Sequence, residues 1–115
     1  PKLGITMADA AKQVKIKVGV VKRTLKEHDS YDKEIKTQSE KIAKMKADNA
    51  EFHDVKQQEE VLKEAEACVI DAKRRFGGAL QDLESLVDEH GEVLVENPDM
   101  VEARALLEAN PPPEN

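Results

Sequence analysis

The side chains best suited to chemistry in this chain are three histidines, His28, His53 and His90, and one cysteine, Cys68. Zinc centres and nucleophile–base pairs need such groups at ligand or hydrogen-bonding spacing. Here the histidines lie far apart in sequence, without supporting Cys or His partners. Cys68 has no His or basic neighbour predicted to lower its pKa; beside Val69 it reads as a structural thiol. His28 falls on an apolar stripe and reads as a partly buried, satisfied histidine rather than a ligand. Gly77-Gly78 lacks the Lys-Ser/Thr that follows the glycines of a phosphate loop. Carboxylates are plentiful, but acid–base work needs two of them held in contrasting environments within a cleft. No catalytic, cofactor-binding or metal-binding residue is therefore expected. The chain reads as a non-enzyme with no cofactor, acting on a partner through binding energy alone.

The composition suits helices rather than a walled pocket. Of 115 residues, 37% are charged and 39% apolar, and Tyr31, Phe52 and Phe76 are the only aromatics. Such a chain has too little apolar and aromatic material to line an enclosed cavity, but matches long amphipathic helices packed side by side. A single cysteine forbids an intrachain disulfide and fits a reducing compartment. No apolar run approaches the roughly 18 residues of a membrane helix, and no signal peptide is visible.

Heptad spacing predicts a first helix from about Asp9 to Asn49. Val14, Val21, His28, Ile35 and Ile42 form one column, joined by Val18, Leu25, Tyr31 and Met45. Residues 14–20 alternate apolar and polar, a strand signal. The heptad column runs through them and beyond, so helix is the reading, despite the roughly 1 kcal/mol that Gly19 costs relative to Ala. After a short connection, Asp54-Val55-Lys56-Gln57 reads as a capping box opening the second helix. Its stripe is Val55, Gln58, Leu62, Ala65, Val69, Ala72, Phe76, Leu80, Leu83 and Val87. Gly77-Gly78 marks a weak point within it, and Gly91 a stop. Asn97-Pro98-Asp99 starts a third helix, running to about Ala109 with Met100, Ala103 and Leu107 on its apolar face.

These elements predict an all-α fold: an elongated antiparallel three-helix bundle, with two long helices of about 50 Å each, one shorter C-terminal helix and coiled-coil-like packing. Residues 7–109 form the single domain. Residues 1–6 read as a non-native remnant preceding a native start at Met7. Residues 110–115, with three prolines, read as a disordered tail.

Charge is unevenly spread. Residues 1–50 carry 12 Lys/Arg against 7 Asp/Glu, and residues 51–115 carry 6 against 17. The overall net charge of −6 argues against general nucleic-acid binding. Between Asp9 and Glu27 there is no acidic residue. On a helical wheel Lys12, Lys15, Lys22, Arg23 and Lys26 share one outward sector. Ile16 and Val20 also turn away from the stripe; either the third helix covers them or they form a contact patch. Arg74 and Arg75 make a second basic spot, with ion pairing to first-helix acids as its structural explanation.

The same residues carry a resemblance. Val14-Lys15-Ile16-Lys17-Val18-Gly19-Val20-Val21-Lys22-Arg23 resembles the opening motif of the tubulin-folding cofactor A family, also called tubulin-specific chaperone A. Tyr31 with Lys33-Glu34, Lys41-Ile42-Ala43-Lys44-Met45-Lys46-Ala47, and Asp54-Val55-Lys56-Gln57-Gln58 with Leu62 follow in order. Asp71 with Arg74-Arg75, and Glu102-Ala103-Arg104, complete it. The likeness spans Met7 to about Ala109. It departs at Gly77-Gly78, at Ile70 where some members carry proline, and from His90 to Met100.

The resemblance implies a cytoplasmic three-helix chaperone, with a link to the microtubule cytoskeleton. Such a protein captures quasi-native β-tubulin after chaperonin release. It hands that subunit on, through other tubulin-folding cofactors, for α/β-tubulin assembly, without nucleotide. Partner-binding residues are then expected among Lys15, Ile16, Val20, Lys22, Arg23, Lys26, Arg74 and Arg75. No nucleic acid or membrane is expected as a partner. Tubulin is acidic, so a basic contact strip would make binding salt-sensitive. The alternative is a structural coiled-coil or scaffold module that only spaces or dimerises other domains.

Overall fold

The computed structural model describes residues 5–112. The expected remnant at 1–6 and tail at 110–115 thus fall partly outside the described residues. Three helices follow in order: α1 (Met7–Ala47), α2 (Phe52–His90) and α3 (Pro98–Ala109). There is no strand among the described residues. The alternating stretch 14–20 is helical, because Val14, Val18 and Val21 share one buried face only at helical periodicity.

Each helix end has a local cause. Thr6, from the segment set aside in the sequence reading, caps α1: its Oγ1 accepts from the Asp9 N–H at 3.0 Å. α1 ends in a Schellman turn. The N–H of Ala50 donates to the Met45 carbonyl at 2.9 Å, and that of Asn49 to Lys46 at 3.2 Å. Asn49 takes the left-handed conformation this turn needs, at φ 58°. α2 begins at Phe52, two residues before the expected capping box, with the Val55 N–H bonded to the Glu51 carbonyl at 3.1 Å. It runs unbroken through Gly77-Gly78 and stops before Gly91, as expected. Asn97 caps α3, its side-chain oxygen accepting from Asp99 at 2.9 Å and Met100 at 3.2 Å, with Pro98 in the first turn.

The chain packs as two compact units, and both long helices contribute to each. In the unit formed by residues up to Arg23 and from Phe76 onward, the core joins α1 (Ala10, Val14, Val18, Val21) to α2 (Ala79, Leu83, Val87). Leu94 of the connection and Met100 and Ala103 of α3 complete it. Leu94 and Ala79 escaped the sequence reading: the first lies in a turn and the second one position before Leu80, which is only half-buried. Leu83 and Met100 are fully buried. An ion pair from Lys17 to Asp82 at 3.2 Å ties α1 to α2, and Lys22 to Glu102 ties α1 to α3.

In the unit from Thr24 to Arg75, Ile42, Val55, Ala65 and Ala72 are buried. Tyr31, Ile35, Met45, Leu62 and Val69 are half-buried around them. The Gln38 amide donates to both the backbone carbonyl and the side-chain oxygen of Gln58, each at 2.9 Å. Lys46–Glu59 at 3.5 Å and Arg75–Glu27 at 2.9 Å show the two helices antiparallel here.

Candidate protein-binding surface

Each basic residue singled out on α1 is placed by the phase of its helix. With the buried face set by Val14, Val18 and Val21, a rotation of about 100° per residue turns Lys12, Lys15, Lys22, Arg23 and Lys26 outward. All five are exposed. Of these, Lys22 reaches Glu102 across to α3. That pair sits in solvent, so its charge remains open to competition by a partner.

Ile16 and Val20, expected to behave alike, separate. Val20 is half-buried and packs against the core of its unit. Ile16 is 56% exposed. It borders an open groove of about 350 Å³ between α1 and α2, lined also by Gln13, Lys17, Asp82, Ser85, Leu86 and Glu89. Phase on a single helix does not reveal this groove, because half of its wall belongs to a helix about 70 residues along the chain.

In the other unit, Arg74 and Arg75 converge on Asp71. Arg74 Nη2 donates to Asp71 Oδ1 at 2.7 Å, and Arg75 Nε to Asp71 Oδ2 at 3.1 Å. Arg75 also donates to Glu27 Oε1 of α1 at 2.9 Å. Chiefly through the hydrogen bond from Arg74, opposed by desolvation and aided by the nearby charge of Arg75, the Asp71 carboxyl is held below its ordinary range. The Glu27 hydrogen bond likewise pushes the Arg75 guanidinium further up. The ion pairing offered as a structural explanation thus holds for Arg75; Arg74 instead pairs within its own helix and stays 81% exposed.

The chemistry-bearing residues remain dispersed. Cys68 is exposed rather than packed beside half-buried Val69, since the next position around the helix faces solvent. His28 is half-buried on the stripe, its Nδ1 3.3 Å from Asp29 and its Nε2 3.7 Å from Asp32. Those three are the one group among the described residues whose donor atoms could hold a metal ion. They come from little more than one helical turn, and both acids are exposed. No helix among the described residues is long and apolar enough to cross a membrane.

A family model, Tubulin binding cofactor A, matches residues 9–107. The chain belongs to the tubulin binding cofactor A family. Human tubulin-specific chaperone A is 42% identical over 104 residues, covering 90% of this chain and 95% of the human protein. Arabidopsis thaliana tubulin-folding cofactor A is 41% identical over 78 residues, covering 68% of this chain and 69% of the plant protein. Solved cofactor A structures agree in fold. The human one superposes with a TM-score of 0.77 at 40% identity, covering 87% of this chain and 96% of that one. The Arabidopsis one gives 0.83 at 36%, covering 90% and 96%. The chain thus shares the helical fold of this family, which is one of tubulin-binding cofactors.

Proposed function

We propose that this protein captures quasi-native β-tubulin released by the chaperonin, keeps it from aggregating, and passes it to other tubulin-folding cofactors for α/β-tubulin assembly. Membership of the cofactor A family supports a tubulin partner. The observation that carries the reading is the outward face of α1, where Lys12, Lys15, Lys22 and Arg23 are exposed and no acidic residue lies between Asp9 and Glu27 in the sequence. An acidic client such as β-tubulin is drawn to such a surface, and the attraction raises the encounter rate more than the final affinity. In one unit the contact residues are Lys15, Ile16, Lys22 and Arg23, with Val20 beneath them. In the other they are Lys26, Arg74 and Arg75. The action is passive: binding holds the subunit, and hand-off follows by competition, in the cytoplasm and without nucleotide.

The test is size-exclusion or native-gel binding of the purified protein to isolated β-tubulin and to isolated α-tubulin, in nucleotide-free buffer. A complex with β-tubulin alone is expected. No complex with either subunit, from protein shown to be folded, would move the reading to a structural helical module.

A further inference from the structure

α1 carries a glycine, Gly19, at a place where the described residues leave room for a side chain. Beyond its chain neighbours and the local helix backbone, a β-carbon at Gly19 would meet no heavy atom of the described residues within 4 Å. Gly91 is different: there Arg104 and the Val87 carbonyl occupy the space. A glycine in mid-helix weakens the helix relative to alanine, so Gly19 lowers stability although a β-carbon there would clash with none of the described residues. Gly77 and Gly78 are equally open, but their neighbours mix acids with bases: Asp71, Arg74, Arg75, Asp82 and Glu84.

Along α1 itself the neighbours of Gly19 are of one kind, although Glu102 of α3 pairs with Lys22 on the flank. Lys12, Ile16, Gly19 and Arg23 are spaced four, three and four residues apart, so they form one ridge of α1. Lys12 and Arg23 are exposed, and Ile16 is the exposed branched apolar side chain between them. Lys15 and Lys22 flank the ridge, and the sequence has no acidic residue between Asp9 and Glu27. An apolar anchor, a bare stretch of backbone and cations at both ends together describe a seat for an acidic element that packs closely. Helix axes approach to about 8 Å rather than 10 Å where the contacting side chains are small.

We propose that the ridge Lys12–Ile16–Gly19–Arg23 seats an acidic helix of β-tubulin, with Gly19 the point of closest approach. This rests on the β-tubulin reading above. The basic ends steer and orient the client helix, Ile16 packs against its apolar face, and the missing side chain at position 19 admits its backbone.

Two substitutions test this against wild type, with isolated β-tubulin as the probe and thermal unfolding as the control for folding. Gly19→Ala and Gly19→Gln should both raise the melting temperature, because the space is open and either residue favours helix. Binding should move the other way: Gly19→Gln weakens the β-tubulin complex by about tenfold or more, a loss near 1.4 kcal/mol, and Gly19→Ala by less. Gly19→Gln that is folded and binds as tightly as wild type overturns the seat while leaving the chaperone reading intact. Wild type that forms no complex with β-tubulin overturns both.

Discussion

Arg104 of α3 reaches with its Nη2 to where the β-carbon of residue 91 would stand, and the Val87 carbonyl oxygen is 2.5 Å from that position. The glycine that follows α2 is thus also the floor on which a side chain from α3 rests. Arg104 can swing aside because its head is the far end of a flexible chain; the Val87 carbonyl, part of the last turn of α2, cannot. Gly91→Ala should destabilise the protein by about 1–3 kcal/mol, as overpacking does. Arg104→Ala in the same background should restore only part of this. Urea unfolding of the single and double variants measures both terms.

The opposite result is expected at Gly77 and Gly78. Both lie inside α2, and beyond the local helix backbone neither would bring a new β-carbon within 4 Å of a heavy atom of the described residues. Alanine there removes backbone freedom from the unfolded chain without a clash. Each substitution should stabilise by about 1 kcal/mol, read as a higher urea midpoint at unchanged slope. A loss of stability would mean that α2 needs the glycines for a bend.

Acid should act through Asp71. Its carboxyl is held below the ordinary value of 3.8 by Arg74 first, with Arg75 adding. A folded-state pKa below the unfolded one gives stability that is present above the unfolded value and lost as pH falls through the folded one. Asp71→Asn should therefore melt lower than wild type at neutral pH, and the two curves should converge as the pH falls below the ordinary carboxylate range. Because the group lies in solvent, the gap should be small and should shrink in high salt. A gap that persists unchanged at low pH would show that packing, not charge, is what the substitution removed.

Charge reversal separates the two basic regions. Lys15→Glu, Lys22→Glu and Arg23→Glu together should weaken β-tubulin binding by tenfold or more, about 1.4 kcal/mol, and flatten its dependence on salt. Melting should fall only modestly, because Lys22→Glu sets one like charge beside Glu102, against the two that Arg75→Glu sets beside Glu27 and Asp71. Arg75→Glu should therefore lower stability more. Surface plasmon resonance across a salt series, paired with thermal melts, checks both. Unchanged affinity in the triple variant would remove the α1 strip from the contact surface.

Much of this molecule was legible in its residues. Heptad spacing located the buried faces of both long helices, from Val14 and Val21 on α1 to Leu83 and Val87 on α2, because a helix repeats its environment at a fixed interval. Asn97-Pro98 and Gly91 marked ends through local backbone chemistry that needs no distant partner. Phase likewise turned Lys15, Lys22 and Arg23 outward. Tertiary structure alone decided what depends on two segments meeting. Only then did Val20 pack and Ile16 stay open, Arg75 find Glu27, Lys17 find Asp82, and Leu94 in a turn become core. A periodic pattern states which way a side chain points; what stands opposite is set by the register of another helix, and that register is fixed only when the chain packs.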